Sequence, residues 1–156
     1  GVEADAKEFG LKVYGGQLDL YSRFIAYGVS KATRQLGERE RRAVVRDLLQ
    51  TIGYAATAED FHLIAIGERP RSRNLTKEQA QLPLVRAAFR RIYRRDPNFR
   101  NANENLSWNT LMYRIRLSRD LERERKGILS YRSLFRKTPV TPLEWATVRV
   151  LAYIPR

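Results

Sequence analysis

The apolar residues of this chain recur at helical steps almost everywhere. From about Gln17 to Leu36, Tyr21, Phe24, Ile25, Val29, Ala32 and Leu36 are spaced for one face of a helix that Gly37 stops. A second helix is predicted from about Glu38 to Ile52, with Val44, Leu48, Leu49 and Ile52 inward and Gly53 after it. Thr57 and Asp60 stand as a capping box, with Asp in place of the usual Glu, for a short helix burying Phe61, Ile64 and Ala65 and closed by Gly67. Thr76 and Gln79 form a similar signal for a helix that Pro83 should interrupt or restart. From Pro83 to about Arg95 the inward stripe is Val85, Phe89 and Ile92, and Asp96-Pro97 ends the helix.

Asn101 or Asn103 caps the next helix, which carries Leu106, Trp108, Leu111, Tyr113 and Ile115, with a kink or fresh start at Ser118. A charged helix is predicted from about Arg119 to Arg136, weakened by Gly127. Thr141-Pro142-Leu143-Glu144 is the strongest start signal: Thr caps, Pro takes the first helical position and Glu closes the box. Trp145, Val148, Leu151 and Ile154 follow as its inward stripe. No stretch sustains strand alternation with hairpin turns. The pattern therefore predicts an all-α domain of six to eight helices over residues 17–156, with residues 1–16 as an N-terminal arm ending in Gly15-Gly16.

Two segments resemble each other. Phe89-Arg-Arg-Ile92-Tyr93-Arg-Arg-Asp-Pro97 and Tyr131-Arg-Ser-Leu134-Phe135-Arg-Lys-Thr-Pro139 share one order of aromatic, aliphatic, basic and Pro positions. A Trp phrase follows each, Leu106-Ser-Trp108-Asn-Thr-Leu111 and Leu143-Glu-Trp145-Ala-Thr-Val148. A degenerate third copy runs Ala65-Ile66-Gly67-Glu68-Arg69-Pro70. This predicts an internal repeat, with units of about 84–117 and 128–155, in which Trp108 and Trp145 are buried at equivalent positions. Tyr93-Arg-Arg-Asp-Pro97 followed by Leu106-Ser-Trp108 resembles the short helical repeats of exported bacterial surface proteins, which are similar to phycobilisome-linker domains. That pattern usually carries Gly in the turn, where this chain has Arg94 or Arg136. The resemblance covers residues 86–155 at most; it implies a non-catalytic packing or attachment module and transfers no active-site residue.

Charge adds a partner class. The 156 residues hold 30 Lys and Arg against 17 acids, a net +13, which points to a polyanion such as nucleic acid, an anionic membrane surface or an acidic wall polymer. Residues 68–100 carry ten basic and three acidic side chains. Within them Arg69, Arg71, Arg73, Arg86, Arg90, Arg91, Arg94 and Arg95 are the candidate polyanion contacts, with Arg86, Arg90 and Arg94 four apart on one helical face. The absence of Cys removes disulfides, thiolate metal sites and thiol nucleophiles. His62, the single histidine, has no companion for a metal site, and no nucleophile elbow or phosphate loop is present. A wall-lytic enzyme would need a carboxylate pair, and Glu8 with Asp19 or Glu59 with Asp60 are the candidates, neither in a recognisable motif.

No apolar run is long enough to span a bilayer. The chain opens Gly1-Val2-Glu3 without an initiator Met, which reads as a processed or trimmed product. These readings converge on a non-enzymatic, exported or envelope-associated bacterial module that binds an anionic polymer or a protein partner, with no catalytic or metal residues and no cofactor. The alternative is a cytoplasmic nucleic-acid-binding protein using the same basic face. Lytic chemistry ranks third.

Overall fold

The structure, a computed structural model, describes residues 15–155. All regular structure in them is helical. Helices α1 (Gly15–Tyr27), α2 (Lys31–Leu36), α3 (Glu38–Thr51) and α4 (Ala58–Ala65) form the first part, with a single 3-10 turn at Gly53–Ala55. Helices α5 (Leu75–Tyr93), α6 (Ala102–Tyr113), α7 (Leu121–Phe135) and α8 (Pro142–Tyr153) follow. Helix α3 touches α1, α2, α4, α5 and α6; α6 packs on α5 and α8; α7 leans chiefly on α8. The predicted arm over 1–16 lies outside the described residues except for Gly15 and Gly16, which belong to α1.

The inward stripes meet in one core. Phe24, Val44, Phe61, Val85, Phe89, Leu111 and Ile115 are completely buried. Phe24 stacks on Phe61 with ring centroids 4.1 Å apart. Two predicted capping boxes form as expected, at Thr57/Asp60 and Thr141/Glu144.

Several boundaries differ from the sequence expectation, each for a physical reason. The first predicted helix is two: Gly28 sits at φ 71 and Ser30 recaps the chain in a box with Thr33. The carbonyls left open at the C-terminal ends of α1 and α2 are gathered by the buried Arg41, whose guanidinium donates to Ile25 O, Ala26 O, Thr33 O and Arg34 O. Helix α5 starts at Leu75 under an Asn74 cap, not at Thr76, and runs through Pro83 without stopping. Pro83 and Gln79 are both exposed, so the carbonyl that Pro leaves without a helical donor is on the solvated side. Burial of Val85, Ala88, Phe89 and Ile92 offsets the lost bond.

The break expected at Ser118 is a whole non-helical segment, 114–120. It carries Arg114, Ile115 and Arg116 into the interior. Gly127, expected only to weaken its helix, packs directly on the backbone of α8: a Cβ there would lie 2.8 Å from Ala152 Cβ and 3.0 Å from Val148 O.

The two similar turns share their geometry. Arg94 and Arg136 each end a helix in the left-handed conformation, at φ 66 and φ 61. Each follows a stacked aromatic pair, Phe89–Tyr93 at 4.3 Å and Tyr131–Phe135 at 4.6 Å. Each is followed by a basic residue paired with the N3 glutamate of the next helix: Arg95 with Glu104, Lys137 with Glu144. The Trp phrases do not share a register. Counted from the caps Asn101 and Thr141, Trp108 is the seventh helical residue and Trp145 the fourth. Trp108 is half-buried, edge-on to Phe89 and Phe99, whereas Trp145 is 41% exposed. The expectation that both indoles are buried at equivalent positions is therefore corrected, and the structural kinship of the two units stops at the turn and the capped glutamate.

Candidate functional site

The eight candidate arginines do not make one ridge. Helix α5 separates them: its 19 residues span about 28 Å at a rise near 1.5 Å per residue. Arg69, Arg71 and Arg73 precede its N-terminus, and Arg90, Arg91, Arg94 and Arg95 stand at its C-terminal end. Four of the eight are held by carboxylates. Arg71 pairs with Glu59 at 3.1 Å, Arg73 with Glu78 at 2.6 Å and Arg90 with Asp96 at 2.6 Å, and Arg95 pairs with Glu104 in a short contact. The Arg73–Glu78 pair also takes the hydroxyl of buried Tyr113, and its donors hold the Glu78 carboxyl below its ordinary range. Arg69 and Arg86 are exposed, outside these ion pairs.

The remaining arginines meet a residue absent from the candidate set, Arg136. Arg91, Arg94 and Arg136 line one open groove of about 660 Å³ between the ends of α5 and α7. Leu129, Leu134 and Leu151 are its apolar lining residues, and Ser130 and Ser133 add hydroxyls. None of its lining residues is acidic. Arg91 ties the two helices together, with Nε and Nη2 donating to Leu134 O at 3.1 and 2.8 Å. Arg94 and Arg136 cap the two helices, so their charges sit at C-terminal ends, where a cation is favoured. The signal for Arg136 was in the sequence as the turn partner of Arg94; the groove itself needed α7 to be laid beside α5.

A second arginine cluster is internal. Arg114 and Arg116 are 2% and 4% exposed. Arg116 pairs with Glu40 at 2.6 Å and Asp47 at 2.7 Å, and its backbone N–H donates to Ile64 O. Arg149, on α8, donates from Nε to Ile115 O, while its Nη2 is buried without a partner. Burial, reinforced by the Arg116 charge and opposed by Asp47 and Glu40, pushes the Arg149 guanidinium down to about 9. Arg116 moves the other way: burial disfavours its charge, but Asp47 and Glu40 more than compensate. Arg116, Arg149, Glu40 and Asp47, with Arg119 paired to Glu124 at 3.1 Å, line a cavity of about 400 Å³ that Arg46 and Trp145 also border. Its four guanidinium groups, from Arg46, Arg116, Arg119 and Arg149, outnumber the three carboxylates of Glu40, Asp47 and Glu124 by one, and the bonds among them hold segment 114–120 between α3 and α8.

The candidate catalytic carboxylates have structural work. Asp60 is fully buried and accepts from the backbone N–H groups of Thr57, Arg71 and Ser72 and from the Thr57 hydroxyl. Burial works against its charge, but donors from Ser72, Thr57 and Arg71 hold it below its ordinary range. Glu59 pairs with Arg71, and Asp19 lies 3.6 Å from Arg23. Glu8 lies outside the described residues. His62 Nδ1 meets Ser30 Oγ at 2.8 Å, joining α4 to the α2 cap. Among the described residues no cluster of metal-ligating side chains forms, and no helix is long and apolar enough to cross a membrane. Compared with known proteins, the chain matches no family model, no curated protein and no solved structure.

Proposed function

We propose that this domain works by binding, not catalysis, and that it docks an anionic polymer along the groove between the ends of α5 and α7. The observation that carries this reading is one groove lined by Arg91, Arg94 and Arg136 with no carboxylate among its lining residues. Arginine suits the task because its planar fork matches phosphate, sulfate or carboxylate oxygens two at a time. The excess of +13 supplies a long-range field that brings such a polymer near. The setting that fits best is an exported or envelope-associated bacterial module, in line with the likeness of Tyr93-Arg-Arg-Asp-Pro97 to surface-protein repeats.

Retention on heparin, duplex DNA and an anionic wall polymer across a salt series tests it. The double variant Arg94→Asn with Arg136→Asn removes two charges while Asn tolerates the left-handed conformation. Arg23→Gln with Arg125→Gln removes the same charge from exposed sites outside the groove. The groove variant should elute at clearly lower salt than wild type, and the control variant close to wild type. On duplex DNA, each phosphate that is no longer neutralised makes the slope of log affinity against log salt shallower by about 0.9. Equal weakening of the two variants would mean a generic basic surface. Marked preference for DNA would favour the nucleic-acid alternative. Absence of retention at about 50 mM salt, where phosphate binding by arginine is strong, would remove the reading.

A further inference from the structure

A second pocket, of about 610 Å³, shares Arg91 with the groove and lies between α5, α7 and the start of α8. That volume falls in the range of about 300–1,000 Å³ usual for small-molecule sites. Its walls are mostly apolar: Leu84 and Ala87 from α5, Tyr131 and Phe135 from α7, and Leu143 from α8. Leu84 is 55% exposed, which leaves an apolar rim open to solvent. Arg114 and Gln81 meet in the lining at 2.7 Å, and Gln50 adds a further amide to it.

Arg114 is the unusual member. It is 98% buried, by its 2% exposure, and belongs to no ion pair among the described residues. Its Nη1 donates to the Leu111 and Met112 carbonyls, and its Nη2 to Gln81 Oε1 at 2.7 Å. Its Nε is buried without a partner. Asp47, whose charge is felt at Arg114, is already engaged by Arg116 at 2.7 Å. Two carbonyls at the C-terminus of α6 and one neutral amide therefore face a full positive charge. A buried cation of this kind is stabilised further by any anion that reaches it. The amide of Gln81, accepting from Arg114, keeps its NH₂ to donate elsewhere. The other charged pair of the lining, Lys137 with Glu144 at 2.5 Å, is self-neutralising.

We infer that this pocket binds a small apolar molecule bearing a single carboxylate, with the carboxylate at Arg114 and Gln81 and the tail along Leu84, Tyr131, Phe135 and Leu143. One uncompensated cation in apolar walls selects for one negative charge and a hydrocarbon body. Beyond Arg114, a polyanion would meet only Arg91 and the Lys137 already paired with Glu144. The inference rests on residues other than the groove caps Arg94 and Arg136, so either reading stands or falls without the other.

The test is titration of the full chain with octanoate and with 1-octanol, followed by amide chemical shifts and calorimetry. Octanoate should give saturable shifts confined to residues around Gln81, Ala87, Tyr131 and Leu143. Octanol should bind at least about tenfold more weakly, the lower end for a hydrogen bond to a charged group. Arg114→Met should erase the preference for the acid. Because that variant also strips the α6 cap, Ala87→Trp is the companion: Ala87 is exposed on α5, and the indole fills the pocket without touching the interior. It should abolish octanoate binding with the fold intact. Equal affinity for acid and alcohol, shifts centred on Arg94 and Arg136, no saturable binding in the millimolar range, or undiminished binding by Ala87→Trp would each overturn the inference.

Discussion

Replacing Gly127 with Ala separates two explanations of that glycine by sign. In an isolated helix the change is stabilising, by about 1 kcal/mol, because Gly loses more backbone entropy than Ala. In this structure the added methyl carbon would lie 2.8 Å from Ala152 Cβ, 3.0 Å from Val148 O and 3.3 Å from Ala152 Cα. Ordinary carbon contacts fall at about 3.5–4.0 Å. All three neighbours are backbone or directly attached to it, so none can swing aside; α7 and α8 must separate at this contact. Overpacking of this kind costs about 1–3 kcal/mol. The net expectation is a loss of about 0–2 kcal/mol after the propensity gain is subtracted. Urea unfolding followed by far-UV circular dichroism reads it as a lower midpoint at unchanged slope. Ala152→Gly, made alone and with Gly127→Ala, supplies the cross-check: it should cost less in the variant than in the parent, since it vacates the clashing position. A raised midpoint for Gly127→Ala, or additive costs, would refute the reasoning and leave Gly127 as merely a weak helical residue. The separation also bears on the groove, because Leu129 and Ser130 on one helix and Leu151 on the other line it together.

Asp47→Asn should destabilise the fold by about 3–5 kcal/mol, because it strips a buried carboxylate from Arg116 and from the field at Arg114 and Arg149. In a thermal melt that is a fall of about 6–20 °C for a domain of this size, and a loss under about 1 kcal/mol, typical of an exposed pair, would contradict the burial argument. Glu144 has its folded pKa lowered from 4.5 to about 2: burial opposes the charge, but Lys137 and the backbone N–H groups of Thr141 and Val140 outweigh it. Its contribution is therefore complete above about pH 4.5 and is lost as pH falls toward 2, so Glu144→Gln should flatten the stability profile in that window and leave its shape above it unchanged. Trp108→Ala should cost about 3 kcal/mol because the indole packs edge-on against Phe89 and Phe99, whereas Trp145→Ala should cost much less; equal destabilisation in chemical denaturation would restore the equivalence of the two indoles.

The sequence by itself determined the helical class, the main inward stripes and the helix starts that depend on local chemistry. Thr57 with Asp60 and Thr141 with Glu144 are legible because a capping box is closed by residues three apart. Val85, Phe89 and Ile92 are legible because burial on a helix repeats at its own period. The continuity of α5 through Pro83 was not legible, since it depends on which side of the helix faces water. Arg114-Ile115-Arg116 reads as surface charge around one apolar residue, yet all three are interior. What permits it is Glu40 and Asp47, some 70 residues upstream and brought alongside only when α3 packs under the extended segment. The candidate arginines divided in the same way. Whether a guanidinium is free depends on where its carboxylate partner folds, which makes Arg90 and Arg95 paired and leaves Arg94 to share a groove with Arg136. Local chemistry writes caps and stripes into neighbouring residues, but a cation's neutralisation is a property of distance in space, and only the tertiary structure decides it.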